Sequence, residues 1–184
     1  MHCLHKILVY IPDVDKEYEK ADKTDLMDSI RLYAETETES YYEQAYDWRE
    51  TDTAGRWEDV YPNNVILAAD DSDRFVKELE ECLLSQKNEI DEGYAQIKNT
   101  VGTDLTEIIN GIWNMKDYSD KQNGFTNMTA YYLHHISDLL YGDYNFDSMF
   151  YNAHEYTGRI YLSDIDDVKK NPEEWALVMF DYHY

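Results

Sequence analysis

Acidic residues run the whole length of this chain, and no other feature restricts so strongly what it can fold into. Residues 13–59 hold 16 Asp or Glu against 6 Lys or Arg, residues 70–98 hold 9 against 4, and residues 104–181 hold 14 against 5. With Lys6 the totals are 39 acidic and 16 basic side chains, a formal charge of −23. A detachable acidic tail would gather its charge at one end. Here a compact surface has to carry it, against self-repulsion. The same balance excludes a free-standing binder of DNA, RNA or an anionic membrane, each of which needs net basic surface. It points to a basic partner, with solubility or a salt-loving host as the bland alternative.

The chain is nonetheless built to fold. Hydrophobic residues make up 43% and aromatic ones 15%, including 18 Tyr, which is unlike a disordered acidic segment. Its 184 residues suffice for one domain with a real core. Cys3 and Cys82 cannot make a disulfide framework, so a reducing compartment is expected. No apolar run approaches the roughly 20 residues that span a bilayer, and Met1–Pro12 lacks the layout of a signal peptide. The expectation is a soluble, cytoplasmic protein.

Apolar patterning predicts the elements. Lys6–Ile11 is a β-rich run ended by Pro12 and reads as a buried first strand. Asp13–Lys23 reads as a solvated connection. Thr24 can cap a short helix with Leu26, Met27, Ile30, Tyr33 and Ala34 on one side. Glu35-Thr36-Glu37-Thr38-Glu39 alternates strictly: a strand would put the three carboxylates on one face, whereas a helix would spread them around its axis. Val65–Ala69 is a second strand candidate. The best helix runs from Asp73 to Lys98, with Phe75, Leu79, Leu83, Gln86, Ile90, Tyr94 and Ile97 inward and Gly93 as a weak point. A further helix after Thr103 would turn Leu105, Ile108, Ile109, Ile112 and Trp113 inward. Another, from Thr126 to Tyr141, would bury Met128, Tyr132, Ile136, Leu139 and Leu140, and Gly142 is placed to end it. After Ile160–Leu162, the run Trp175–Phe180 reads as a buried strand. The expected class is α+β in a single domain, residues 1–184, with a small sheet drawn from both chain ends and about three to four helices between.

Candidate chemistry is sparse. His2, Cys3 and His5 cluster near the N-terminus, while His134, His135, His154 and His183 lie far off, and no pair has structural-zinc spacing. His134 and His135 diverge by about 100° on a helix, so one faces the apolar stripe and the other faces away. Packed or solvated histidines are expected, and no metal or other cofactor. Asp70-Asp71-x-Asp73 and Asp164-x-Asp166-Asp167 could take Mg²⁺ or Ca²⁺, but neither has the calcium-loop spacing, and the first opens a helix where negative charge is favoured anyway. Nucleophile and phosphate-binding motifs are missing, and Cys82 falls on an apolar helix face. An enzyme is therefore not expected.

Mixed tyrosine and carboxylate surface is the stronger signal. Tyr41, Tyr42 and Trp48 interleave with Glu35, Glu37, Glu39, Glu43 and Asp47, in a stretch without Lys or Arg up to Asp47. Farther on, Tyr144 lies between Asp143 and Asp147, in a Tyr-rich stretch where Arg159 is the one basic residue. Tyrosine and carboxylate together suit an Arg- and Lys-lined groove, by salt bridges and guanidinium stacking. These eleven residues form the expected partner-binding set, with the charge of the first group free for the partner.

Asp47-Trp48, then Gly55-Arg56-Trp57 and Tyr61-Pro62, resembles a short pattern in small phage and mobile-element proteins of uncharacterised role, with Ala54 where such families carry a second glycine. An Asp47–Arg56 ion pair stacked on Trp57 is the structural alternative. In its acidic, Tyr-rich, motif-poor character the chain is similar to DNA-mimic inhibitors: antirestriction proteins and anti-CRISPR proteins that block Cas9. That resemblance implies a protein inhibitor of a bacterial defence nuclease, acting in the host cytoplasm on a basic nucleic-acid-binding protein, with no direct nucleic acid and no membrane. The rivals are an immunity protein against a nuclease toxin and a metal-dependent enzyme using the Asp clusters.

Overall fold

The computed structural model describes residues 1–17, 23–101, 104, 106–107, 110, 113, 127–143 and 149–183, and their side chains except at 15–17, 23–25, 40–41, 43–45, 100–101 and 127–128. The elements are β1 (His2–Tyr10), α1 (Ile11–Glu17), α2 (Lys23–Ala45), β2 (Trp48–Glu50), β3 (Val65–Leu67), α3 (Ser72–Val101), α4 (Asn127–Tyr141), β4 (Phe150–Asn152), α5 (Leu162–Lys170) and β5 (Trp175–His183). Short 3-10 turns occupy Gly55–Trp57 and Pro172–Glu174. The class is α+β, with sheet strands from both chain ends and helices between them.

Two compact units divide the chain, residues 1–83 with 142–184, and residues 84–141. The first is built on a mixed five-stranded sheet of order β2-β5-β1-β4, with β3 also pairing β5. β1 and β5 run antiparallel over their full lengths, from His2 opposite His183 to Tyr10 opposite Trp175. β4 joins β1 in parallel, and β2 and β3 join β5 in antiparallel fashion. β5 is buried on both faces almost throughout, which explains its near-continuous apolar sequence, whereas β1 is buried on both faces only over Ile7–Val9 and keeps His2, Leu4 and Lys6 half-buried on one side.

Strand alternation sorts the core into two layers. Ile7 and Val9 of β1, with Val178, Phe180 and Tyr182 of β5, meet Val14 of α1 and Ile30, Tyr33 and Ala34 of α2. On the opposite face Leu8, Leu177 and Met179 meet Phe75 and Leu79 of α3 and Ile165 and Val168 of α5. The stretch expected as a solvated connection begins instead as α1; Pro12 is tolerated there because the first helical turn does not use its missing N–H. The helix predicted from Thr24 does not stop at Ala34. It runs on through Glu35–Glu39, so the strand reading of that alternation does not hold. Ile30, Ala34, Thr38 and Tyr42 recur every four residues, and this stripe follows the sheet.

In the second unit Ile97 of α3 is buried against Tyr132, Leu133 and Ile136 of α4. Gly93 permits close approach, since a Cβ there would stand 3.1 Å from Ile136. Gly142 (φ +80°) ends α4 as predicted. Three residues expected inward point outward: Tyr94, Trp113 and Leu140 are all exposed. Leu105, Ile108, Ile109 and Ile112 lie outside the described residues.

Candidate functional site

The predicted acidic surface converges on the junction of α2, β2 and the C-terminal end of β5. Glu35 and Glu39 are one helical turn apart, so they share a face, and that face meets Arg49 of β2. Arg49 bridges both carboxylates, with Nη2 at 3.1 Å from Glu35 Oε1 and also bonded to Glu39 Oε2. Its guanidinium also sits 4.5 Å from the ring centre of Tyr42, and its side chain is only 7% exposed. One guanidinium offsets one of the two charges of Glu35 and Glu39, so this stretch is partly engaged inside the protein, where the sequence offered no internal counter-charge. The sequence hid this because Arg49 lies just beyond it and reaches back through the β2–β5 pairing.

Asp47 is paired as well. His183 Nδ1 lies 2.7 Å from Asp47 Oδ1, and this bond holds the carboxyl below the ordinary aspartate range. An Asp47–Arg56 pair does not form; the Arg56 backbone N–H donates to Asp181 instead, at 3.0 Å. Tyr42 is half-buried, with its ring stacked on Tyr182 at 6.2 Å. Glu37 is half-buried too, and Trp48 and Asp143 are exposed. The side chains of Tyr41 and Glu43, and all of Tyr144 and Asp147, lie outside the described residues.

Both Asp clusters have structural work. Asp71 Oδ1 accepts the N–H of Arg74 at the start of α3. Asp164 accepts the Tyr161 N–H at 2.7 Å, capping α5, and Asn152 donates to its other oxygen. Burial pushes its carboxyl up to about 6. The adjacent histidines behave as read: His134 is exposed and bonded to Asp138, and His135 packs beside Tyr131 with Glu89 at 3.4 Å. Cys82 is buried, and burial pushes its thiol up to about 11. Among the described residues no group of three or more His, Cys, Asp or Glu is placed to hold a metal ion.

Another acidic surface went unrecognised in the sequence. Arg74 donates to the Val60 carbonyl at 3.1 Å and lies over the Tyr61 ring, so the 58–60 turn adjoins the start of α3. Glu58, Asp59, Asp70, Asp71 and Asp73 are all exposed there, with Val60 beside them. No local pattern revealed it, because the two acidic stretches adjoin in the fold, through the bond from Arg74 to the Val60 carbonyl. A cavity of about 420 Å³ elsewhere in this unit is lined by Met27, Asp28, Arg31, Asp52, Asn64 and Val65 among others.

No family model, curated protein or solved structure matches the chain. No helix among the described residues is long and apolar enough to cross a membrane.

Proposed function

We propose that this is a binding protein rather than an enzyme: an inhibitor of a bacterial defence nuclease, a CRISPR effector of the Cas9 type, that occupies the effector's basic nucleic-acid groove from within the host cytoplasm. One observation carries the reading. A folded, tyrosine-rich chain holds 39 carboxylates against 16 basic side chains, so many carboxylates have no Lys or Arg of their own. Duplex DNA presents one charge per about 1.7 Å of its axis, and dense surface carboxylates compete for the same cations. The contact surface proposed is the group of exposed carboxylates Glu58, Asp59, Asp70, Asp71 and Asp73 around the start of α3, since Glu35, Glu39 and Asp47 also hold Arg49 and His183 in the fold.

The test is cleavage of a matched DNA by a guide-loaded Cas9-type effector, titrated with the protein at low and high salt, beside a basic nuclease toxin. Stoichiometric inhibition of the effector that weakens with salt is expected. Inhibition of the toxin alone would favour an immunity protein, and tight binding to neither would end the proposal.

A further inference from the structure

The β1–β5 register sets His2 directly opposite His183, although 181 positions separate them in the chain. Their ring centres are 4.8 Å apart. Each ring is oriented by its own carboxylate: His2 Nδ1 lies 2.9 Å from Asp181 Oδ1, and His183 Nδ1 lies 2.7 Å from Asp47 Oδ1. An ionised carboxylate can only accept, so both Nδ1 atoms carry a proton, and in the neutral form of each ring Nε2 is the atom with a lone pair to offer. This is how metal-binding histidines are held in proteins, with the outer carboxylate fixing tautomer and ring.

We propose that His2 and His183 form a two-histidine site for a divalent transition metal of the Zn²⁺ or Ni²⁺ class, with water completing the coordination. The spacing fits. A metal–nitrogen bond of about 2.0–2.1 Å puts each ring centre about 3.2 Å from the ion, so two rings at tetrahedral to right angles stand about 4.6–5.3 Å apart. Imidazole nitrogen suits this class, whereas Mg²⁺ and Ca²⁺ prefer oxygen.

The 47–62 segment supports the orienting carboxylates. Asp47 supplies one of them. Asp181, whose side chain is 1% exposed, is fixed by the Arg56 N–H. Gly55 adopts φ +55°, and a Cβ on it would strike the Asp181 side chain at 2.3–2.8 Å, so the turn closes over that carboxylate only with glycine. Trp48 stands edge-on to His2 at 5.7 Å, within reach of any ion bound there.

Titration of the whole chain with Zn²⁺ by calorimetry, and with Ni²⁺ by tryptophan fluorescence, tests this, with Ca²⁺ as the control for carboxylate binding. One Zn²⁺ per chain is expected, with affinity falling at least tenfold in His183→Ala and in His2→Ala. Asp47→Asn should cost about 10–100-fold, because it removes only the orienting group. Ni²⁺ should quench fluorescence, and the quench should vanish in Trp48→Phe. Should His183→Ala misfold, His183→Gln keeps a side chain of similar reach without the imidazole. A Zn²⁺ isotherm unchanged in these histidine variants, or Ca²⁺ binding with equal affinity and stoichiometry, would overturn the proposal.

Discussion

His5 and Lys6 are neighbours on β1, and the sheet sends them to opposite faces, where their polarity is managed in opposite ways. His5 is fully buried against α2; its Nε2 is 2.9 Å from the Tyr46 hydroxyl, and its ring lies edge-on to Tyr182. Desolvation pulls its pKa down to about 3, so this face stays neutral. Tyr182 completes it by donating to Thr38, which donates in turn to the Ala34 carbonyl. On the other face Lys6 lies 2.6 Å from Glu78, which also accepts from Tyr61 at 2.9 Å. Burial alone pulls the Lys6 ammonium down, but the nearby Cys82 and the bond and charge of Glu78 outweigh it, and its pKa stands above the ordinary lysine value. Both partners keep an edge at solvent, with side chains 13% and 12% exposed. A fully enclosed group is thus held neutral, whereas a group with a path to water keeps its charge and a counter-charge.

The largest break in that contrast is Glu78→Ala. Leaving the Lys6 ammonium without its carboxylate should cost about 3–5 kcal/mol in urea unfolding, and Lys6→Met with Glu78→Leu should restore most of it. A loss below about 1 kcal/mol would mean that the pair is solvated rather than buried.

Acid should separate the faces next. The folded His5 pKa lies below the unfolded value of about 6.5, so the stability this residue contributes is present above pH 6.5 and is lost as pH falls toward about 3. Between pH 7 and 5 the loss should be about 2 kcal/mol, and His5→Gln should remove that component of the slope. Identical slopes in the two proteins would place a proton on His5 in the native state.

The smallest effect compares two hydroxyls. Tyr61→Phe removes a donor to a carboxylate and should cost about 1.5–3 kcal/mol, whereas Tyr182→Phe removes a neutral bond and should cost about 1 kcal/mol. Equal costs, measured by thermal unfolding, would erase the distinction between the faces.

The sequence carried the α+β class, the strands at both ends and α3, because continuous apolar runs and a three-to-four spacing are local signals. α2 was half legible: Leu26–Ala34 announced it, but Thr38 breaks the apolar stripe, and the Glu-Thr alternation imitates a strand. Thr38 faces the core because its hydroxyl bonds the Ala34 carbonyl and receives Tyr182. The acidic surface was visible as charge but not as geometry. Arg49 against Glu35 and Glu39, and His183 against Asp47, are contacts made by strand pairing, and no spacing rule on one chain reports them. The pairing of His2 with His183 was hidden for the same reason.

The proposed role, in which exposed carboxylates steer this protein into a basic groove, is tested most directly by the association rate with a guide-loaded Cas9-type effector as a function of salt. Lysine replacements at Glu58, Asp59, Asp70 and Asp73 should slow association and flatten its salt dependence, with a stability loss confined to the helix-terminal charges at Asp70 and Asp73, about 0.3–1 kcal/mol each. The same number at Glu35, Glu37, Glu39 and Asp47 should act chiefly by lowering the melting temperature, because it unmakes the partners of Arg49 and His183. Equal slowing by both sets without loss of fold would show that bulk charge alone matters. Rates that ignore salt and both sets would overturn the proposed role.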